Sequence, residues 1–216
     1  MMNRRPFLSH TAALLCLALL LQGGCARSGP PRFYVLHALA ETGTVGEAAG
    51  IAEDITVGIG PVTLPSYLER PQIVTTAAEP EIHININEFE RWAGSLKEDI
   101  GRVVAENIAS MLGSNRILIY PWHRSTVDYR VQMEILRFDG ALGHEVMLRV
   151  QWAVFDAAGE MPVLTVSEFQ KPAAGPGVDA LIEAWSLALA DLSGEMAAVL
   201  VDLASRKNDA RPEGRR

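Results

Sequence analysis

Residues 61–76 read P-V-T-L-P-S-Y-L-E-R-P-Q-I-V-T-T, and the layout of the chain around them follows from how this stretch is read. Pro65 has no N–H to give a strand ladder, so a strand entering from upstream must end near it. Ser66 and Glu69 have capping-box spacing, which predicts one short helical turn. Pro71 pushes Arg70 out of the helical region and stops the turn. The expectation is strand, turn, strand. The stretch holds no nucleophile–base pair and no metal-ligand cluster. It reads first as a structural connector and second as a recognition loop.

Working outward, Ile55, Val57 and Ile59 alternate with Thr56, Gly58 and Gly60, a half-buried strand leading in. Gly58 and Gly60 do not make a phosphate loop, because a third glycine and a following helix are missing. Gln72–Thr76 is the strand leading out. Further upstream, Phe33–Leu39 is a strand candidate and Glu41–Glu53 a small, acidic, Gly-rich loop. Downstream, Glu81–Asn87 alternates, with Ile82, Ile84 and Ile86 on one face and His83, Asn85 and Asn87 on the other. His83 is read as a solvent-facing strand residue.

Ser95–Leu112 predicts a helix, with one apolar face through Leu96, Ile100, Val103, Val104, Ile108, Met111 and Leu112, interrupted by Asn107. Ser95 and Glu98 predict a cap, Gly113 a C-terminal stop, and Trp92 is expected to pack across the helix start. Ile117–Tyr120 is a short strand closed by Pro121. Trp122, His123 and Arg124 follow in a loop, with Trp122 and Arg124 as candidate binding anchors and a Trp lid over the sheet edge as the plainer reading. Tyr129–Phe138, His144–Phe155 and Val163–Gln170 are three strands with short connections, an antiparallel meander. After the Gly175-Pro176-Gly177 linker, Leu181, Trp185, Leu189, Leu192, Met196, Val199 and Leu203 make one stripe on a helix over Val178–Leu203. The fold class expected is α/β: a two-layer sandwich of a mixed, largely antiparallel sheet with two amphipathic helices on one face. The domains expected are a lipoprotein signal peptide over 1–24, a lipidated tether over 25–31, one folded domain over 32–204 and a disordered polar tail over 205–216.

The N-terminus has the form of an export signal. Arg4 and Arg5 precede an apolar run, Thr11–Leu21, too short to span a bilayer. The run ends L-Q-G-G-C, with Gly23, Gly24 and Cys25 forming a lipobox-like site. Small residues leave room for a peptidase that cuts before a lipidated cysteine. Gln22 departs from the apolar or small residue usual three places before the cysteine. An ordinary secretory signal and an uncleaved anchor are the alternatives. Cys16 leaves with the signal, so Cys25 is the only cysteine of the mature chain and has no intrachain disulfide partner. Several acyl chains on one residue give stable anchoring. Ala26, in place of the aspartate common in lipoproteins held at the inner membrane, favours the outer membrane.

The formal charge is −7, and removing Arg4 and Arg5 makes it about −9. An acidic chain whose few basic residues are scattered, apart from the C-terminal tail, argues against nucleic acid as the main partner. No G-x-S-x-G, H-E-x-x-H, C-x-x-C or Walker loop occurs, and the histidines are widely separated. No catalytic residue, metal or cofactor is expected.

The stretch 61–75 closely resembles a segment of the ABC-type transport auxiliary lipoproteins, the family of paraquat-inducible protein C. R-W-A-G-S-L (91–96), R-V-V-A-E-N-I (102–108), Y-P-W (120–122), Y-R-V (129–131) and S-L-A-L-A-D-L-S (186–193) resemble further family segments in the same order. The resemblance implies a non-enzymatic outer-membrane lipoprotein on the periplasmic face. It implies work beside an ABC permease and an MCE-domain partner in lipid transport, docking the far end of that conduit, and assembly as a ring-like homo-oligomer. It carries over no catalytic residue. Tyr67, as an anchor, and Glu69 and Arg70, at the rim, become candidate docking residues with Trp122 and Arg124. A lipoprotein assembly factor for another envelope complex is the alternative, and a periplasmic enzyme the third reading.

The lipidation reading predicts that Cys25→Ala abolishes fatty-acid labelling and leaves the protein soluble or held as its precursor. Unchanged labelling in that variant would remove Cys25 as the lipidated residue.

Overall fold

The computed structural model describes residues 29–39, 55–77, 83–122 and 127–209. Cys25, His123, Arg124 and the loop expected over 41–53 lie outside the described residues. Contacts divide the chain into Met1–Pro30 and Pro31–Arg216, and every element below belongs to the second unit.

The stretch around Pro65 folds as strand, turn, strand. Strand β2 is Val57–Thr63 and strand β3 is Gln72–Thr76, with a 3-10 turn at Ser66–Leu68 between them. The capping box expected of Ser66 and Glu69 does not form. The turn starts one residue earlier, at Pro65, whose carbonyl accepts from the Leu68 amide, while the Glu69 amide donates to the Ser66 carbonyl. Three-residue spacing of the backbone bonds already pairs the amides that a serine hydroxyl would have taken.

The eight strands of the described residues divide between two sheets. β1 (Arg32–Tyr34), β4 (Ile84–Trp92) and β3 form one, in the order β1-β4-β3. β5 (Ile117–Ile119), β6 (Tyr129–Gly140), β7 (Glu145–Asp156) and β8 (Val163–Pro172) join β2 in the other, in the order β5-β2-β6-β7-β8. β2 is parallel to both its neighbours, and β6-β7-β8 is the expected antiparallel meander. Helix α1, Leu96–Leu112, lies on β2 and β5, and helix α2, Val178–Asp209, lies on β7 and β8. The two helices also pack on each other, so the larger sheet has one covered face. This is the two-layer α/β sandwich with both helices on one side. No helix among the described residues is long and apolar enough to cross a membrane.

The reasons are local. Ser95 caps α1 by accepting from the Glu98 amide, Glu98 and Asp99 stand in the first turn, and Gly113 closes it at φ 62°. The alternation in β2 turns Val57 and Ile59 toward the helices, both fully buried. Gly60 sits at φ 107° where the β2–β6 register shifts, a conformation that L side chains rarely adopt. The core gathers Val131, Ile135, Leu148, Val150 and Val154 from the meander under Leu181, Trp185, Leu189, Leu192 and Met196 of α2. Trp152 is buried with its indole N–H on Ser167 Oγ at 2.9 Å.

Three sequence expectations are revised. The strand at Phe33–Leu39 ends at Tyr34, and residues 35–39 become a strap over the seam between α1 and α2. Its amides bond to helix side chains instead of a ladder: Leu36 to Asp99 (2.7 Å), His37 to Ser186 (3.3 Å) and Leu39 to Asn107 (2.9 Å). The Leu36 carbonyl accepts from Arg102 at 2.7 Å. Asn107, the polar break in the α1 stripe, is fully buried for this purpose and also reaches Ser193. The strand at Glu81–Asn87 extends instead to Trp92, because its second half pairs with β1. Trp92, at its end, packs on Phe138 and Trp185, at centroid distances of 6.4 and 6.0 Å. Finally α2 runs to Asp209, into the span expected to be a disordered tail.

Asp128 explains that last extension. Its carboxylate accepts from the Thr56 amide and from Lys207 Nζ, both at 2.9 Å, and Lys207 also lies over the Tyr129 ring. Burial disfavours the charge, but these two donors hold the carboxyl below its ordinary value. A depressed folded value means a stabilisation present above the unfolded value, about 3.9, and lost as pH falls through the folded one. Asp128→Ala is therefore expected to lower stability at pH 7 by about 1 kcal/mol, a modest figure because the pair is partly solvated. In denaturant titrations the gap from wild type should shrink as pH drops below about 3.9. A gap that holds its size at pH 3 would refute the clamp.

Candidate functional site

The sequence singles out two groups, the turn with Tyr67, Glu69 and Arg70, and the loop with Trp122 and Arg124. The structure brings Glu69 and Arg70 to the start of α1, while Tyr67 turns to the core and Trp122 to the far face of β2. A shallow cavity of about 470 Å³ is lined by Leu64, Leu68, Glu69, Arg70, Pro71 and the residues 94–97. A second, of about 280 Å³, runs between α1 and the β2–β5 edge, lined by Pro61, Val62, Gly101, Ile119, Tyr120 and Pro121 among others. Lys97, in the first turn of α1, borders both.

Tyr67 is half-buried and packed against the core, so it is not a free anchor. Burial, reinforced by Asp139 and countered by Arg137, pushes its phenol pKa up. Glu69 is exposed. No ion pair joins Glu69 to Arg70 among the described residues. Arg70 Nε is buried without a hydrogen-bond partner, an unsatisfied donor at the wall of the larger cavity.

Trp122 lies on the face of β2 away from the helices. A methyl group on Gly58 would come within 2.5 Å of Trp122 Cε2, so the glycine is what lets the indole close down on the strand. The indole thus lies over β2, one strand in from the sheet edge that β5 forms. Tyr120 meets Trp122 edge to face at 5.3 Å, yet remains 56% exposed, beside Ile119 at 46%. The exposed aromatic of this loop is thus Tyr120, not Trp122. Lys97, Ile119, Tyr120 and Gly101 carry no signal as binding residues in the sequence beyond the Y-P-W segment that holds Tyr120. Their proximity depends on the parallel pairing of β5 with β2.

These surfaces offer apolar, aromatic and cationic contact. Among the described residues no group of three His, Cys, Asp or Glu could hold a metal ion. One hydroxyl does approach a histidine: Ser186 Oγ lies 3.4 Å from His37 Nδ1. Ser186 is fully buried, donates to the Ile182 carbonyl at 2.8 Å and accepts from the His37 amide. Its proton is committed within α2 and its oxygen to the strap, so the pair is a fastening and not a nucleophile with its base.

The fold recurs in solved structures. Protein XCC0632 from Xanthomonas campestris superposes with a TM-score of 0.66 at 10% identity, covering 83% of this chain and 99% of that one. An uncharacterized protein superposes at 0.63 and 15% identity, covering 80% of this chain and 99% of that one. At such identities the likeness concerns the fold alone. Curated protein sequences give no match. A family model does match, over residues 34–197, and that span takes in β1's last residue, both sheets and most of α2. By that match the chain belongs to the family of ABC-type transport auxiliary lipoprotein components.

Proposed function

We propose that the protein is a non-enzymatic lipoprotein of the outer membrane that docks the periplasmic end of an MCE-type lipid conduit, working beside an ABC permease. Family membership is the observation that carries this reading. The signal and lipobox-like segment ending at Cys25 support the anchor, and the acidic body disfavours nucleic acid as partner. The docking surface in this reading is the start of α1, where Lys97 separates two cavities, Tyr120 and Ile119 are exposed, and Arg70 has a donor to satisfy. An exposed aromatic beside a cation is the composition of an interface anchor.

Crosslinking in cells, followed by pull-down of the lipidated protein, is expected to recover an MCE-domain protein. Recovery of another envelope complex in its place would transfer the protein to the assembly-factor reading.

Single substitutions then locate the surface. Tyr120→Ala should keep the fold, within about 1 kcal/mol of wild type, because its ring is largely solvated. It should weaken partner capture about tenfold or more if the residue is an interface anchor. Tyr67→Ala, by contrast, should lower stability, since it empties a half-buried site against the core. Full partner capture by Tyr120→Ala and Lys97→Glu would move the docking surface elsewhere.

A further inference from the structure

Apolar residues exposed singly need no account, but three gathered at one strand pair do. Phe33 is 62% exposed, Val35 54% and Phe89 47%. Phe33 pairs with Arg91 across the parallel β1–β4 ladder, so these two share a face of the sheet, and Phe89 stands two residues before Arg91, where β4 bulges against β3. Val35 continues the alternation: Tyr34 and Leu36 turn inward, and Phe33 and Val35 turn outward. Arg91 shares the face of Phe33 while Arg32 lies on that of Tyr34, and both are paired with carboxylates, Arg91 with Glu88 and Arg32 with Glu90. Arg32 bonds to Glu90, and Arg91 Nε donates to the Glu88 carbonyl. Exposed phenylalanines at the start of a domain suit the headgroup layer of a bilayer, where rings can be buried at the boundary with the acyl chains.

The length of chain before β1 identifies the occupant. Only residues 26–31 separate Cys25 from Arg32, where β1 begins. Fully extended, a segment of that length spans at most about 25 Å. A lipid on Cys25 therefore holds the start of β1 within that reach of the membrane surface. A weak apolar contact suffices at such a distance, since the tether makes the encounter intramolecular. Leu164 and Val166, exposed on β8 in the other sheet, have no such restraint.

We propose that the face formed by Phe33, Val35 and Phe89 rests on the lipid headgroups of the membrane that anchors Cys25, and so sets the orientation of the folded body. This rests on the lipidation of Cys25. The acyl chains supply the affinity and the face supplies the angle.

The test uses full-length lipidated protein in vesicles of phosphatidylethanolamine and phosphatidylglycerol containing a nitroxide-headgroup lipid. An environment-sensitive fluorophore is placed at Val35→Cys, or at Leu164→Cys as reference. The expected result is blue-shifted emission and strong quenching at position 35, with neither at position 164. Adding Phe33→Ser and Phe89→Ser to Val35→Cys should reverse at least half of the quenching. Equal quenching at the two positions means a body tumbling on its tether, and overturns the proposal. A blue shift at position 35 without lipid quenching means that protein covers the face, a second copy or a partner, and also overturns it. Quenching unchanged by the two serines removes the role of the rings. Fatty-acid analysis of the same preparation separates the causes of failure. Absence of acyl chains on Cys25 removes the anchor and this proposal together, whereas an acylated Cys25 with position 35 unquenched removes this proposal alone.

Discussion

Three aromatic rings join the parts of this fold that the chain visits at distant times. Trp92 comes from the end of β4, Phe138 from β6 and Trp185 from α2. Phe138 stacks on Trp185 at 4.8 Å, and Trp92 leans on both. The cluster is at most 5% exposed at any ring. It is therefore the place where the small sheet, the large sheet and the helical layer share one buried volume. Rings of this size bury more apolar area than any aliphatic side chain and hold preferred mutual tilts. The indole of Trp185 also gives its N–H to the Asp139 carbonyl at 3.3 Å, which ties the helix to the strand beneath it. Among the described residues no strand is common to both sheets, and this contact, together with the packing of β3 on β6, joins them into one core.

Much of the fold is legible in the chain because its signals are local. The α1 stripe, the Ser95 cap and Gly113 lie within one helix, and each acts on its own neighbours. The meander is legible for the same reason, as its strands alternate and their turns are short. The partition into two sheets is not legible. It depends on β2 choosing β5 and β6 as parallel neighbours, and on β4 taking β1 as its parallel partner. Nothing in the alternation of Ile55–Ile59 or Ile84–Asn87 encodes a partner so distant in sequence. The strap reads as strand in the sequence for a related reason. Residues 33–39 have strand composition, but Asn107, Asp99 and Ser186 offer their backbone a different set of bonds.

The candidate site was legible in part. Proline punctuation marked the turn, and the Y-P-W segment marked the aromatic loop. Which side chain faces outward was not readable, because it turns on contacts across the fold. Gly58 admits Trp122 and leaves Tyr120 outside, and Tyr67 sinks toward the core from a turn that looks exposed in sequence. The importance of Lys97 comes only from its position between two cavities whose walls are far apart in the chain.

The strap has a mechanical consequence. A force applied to the N-terminal chain meets β1 first and then the residues 35–39. β1 lies parallel to β4, so traction along its axis shears several backbone bonds together instead of opening them one by one. Load that passes this ladder is divided between the two helices, through Asp99, Arg102 and Asn107 on one and Ser186 on the other. Both helices bear on the same sheet, so traction at the terminus is distributed across the whole body before any single element yields. The side chains that interrupt the apolar seam thus serve as a strain relief, of the kind fitted where a cable enters its housing.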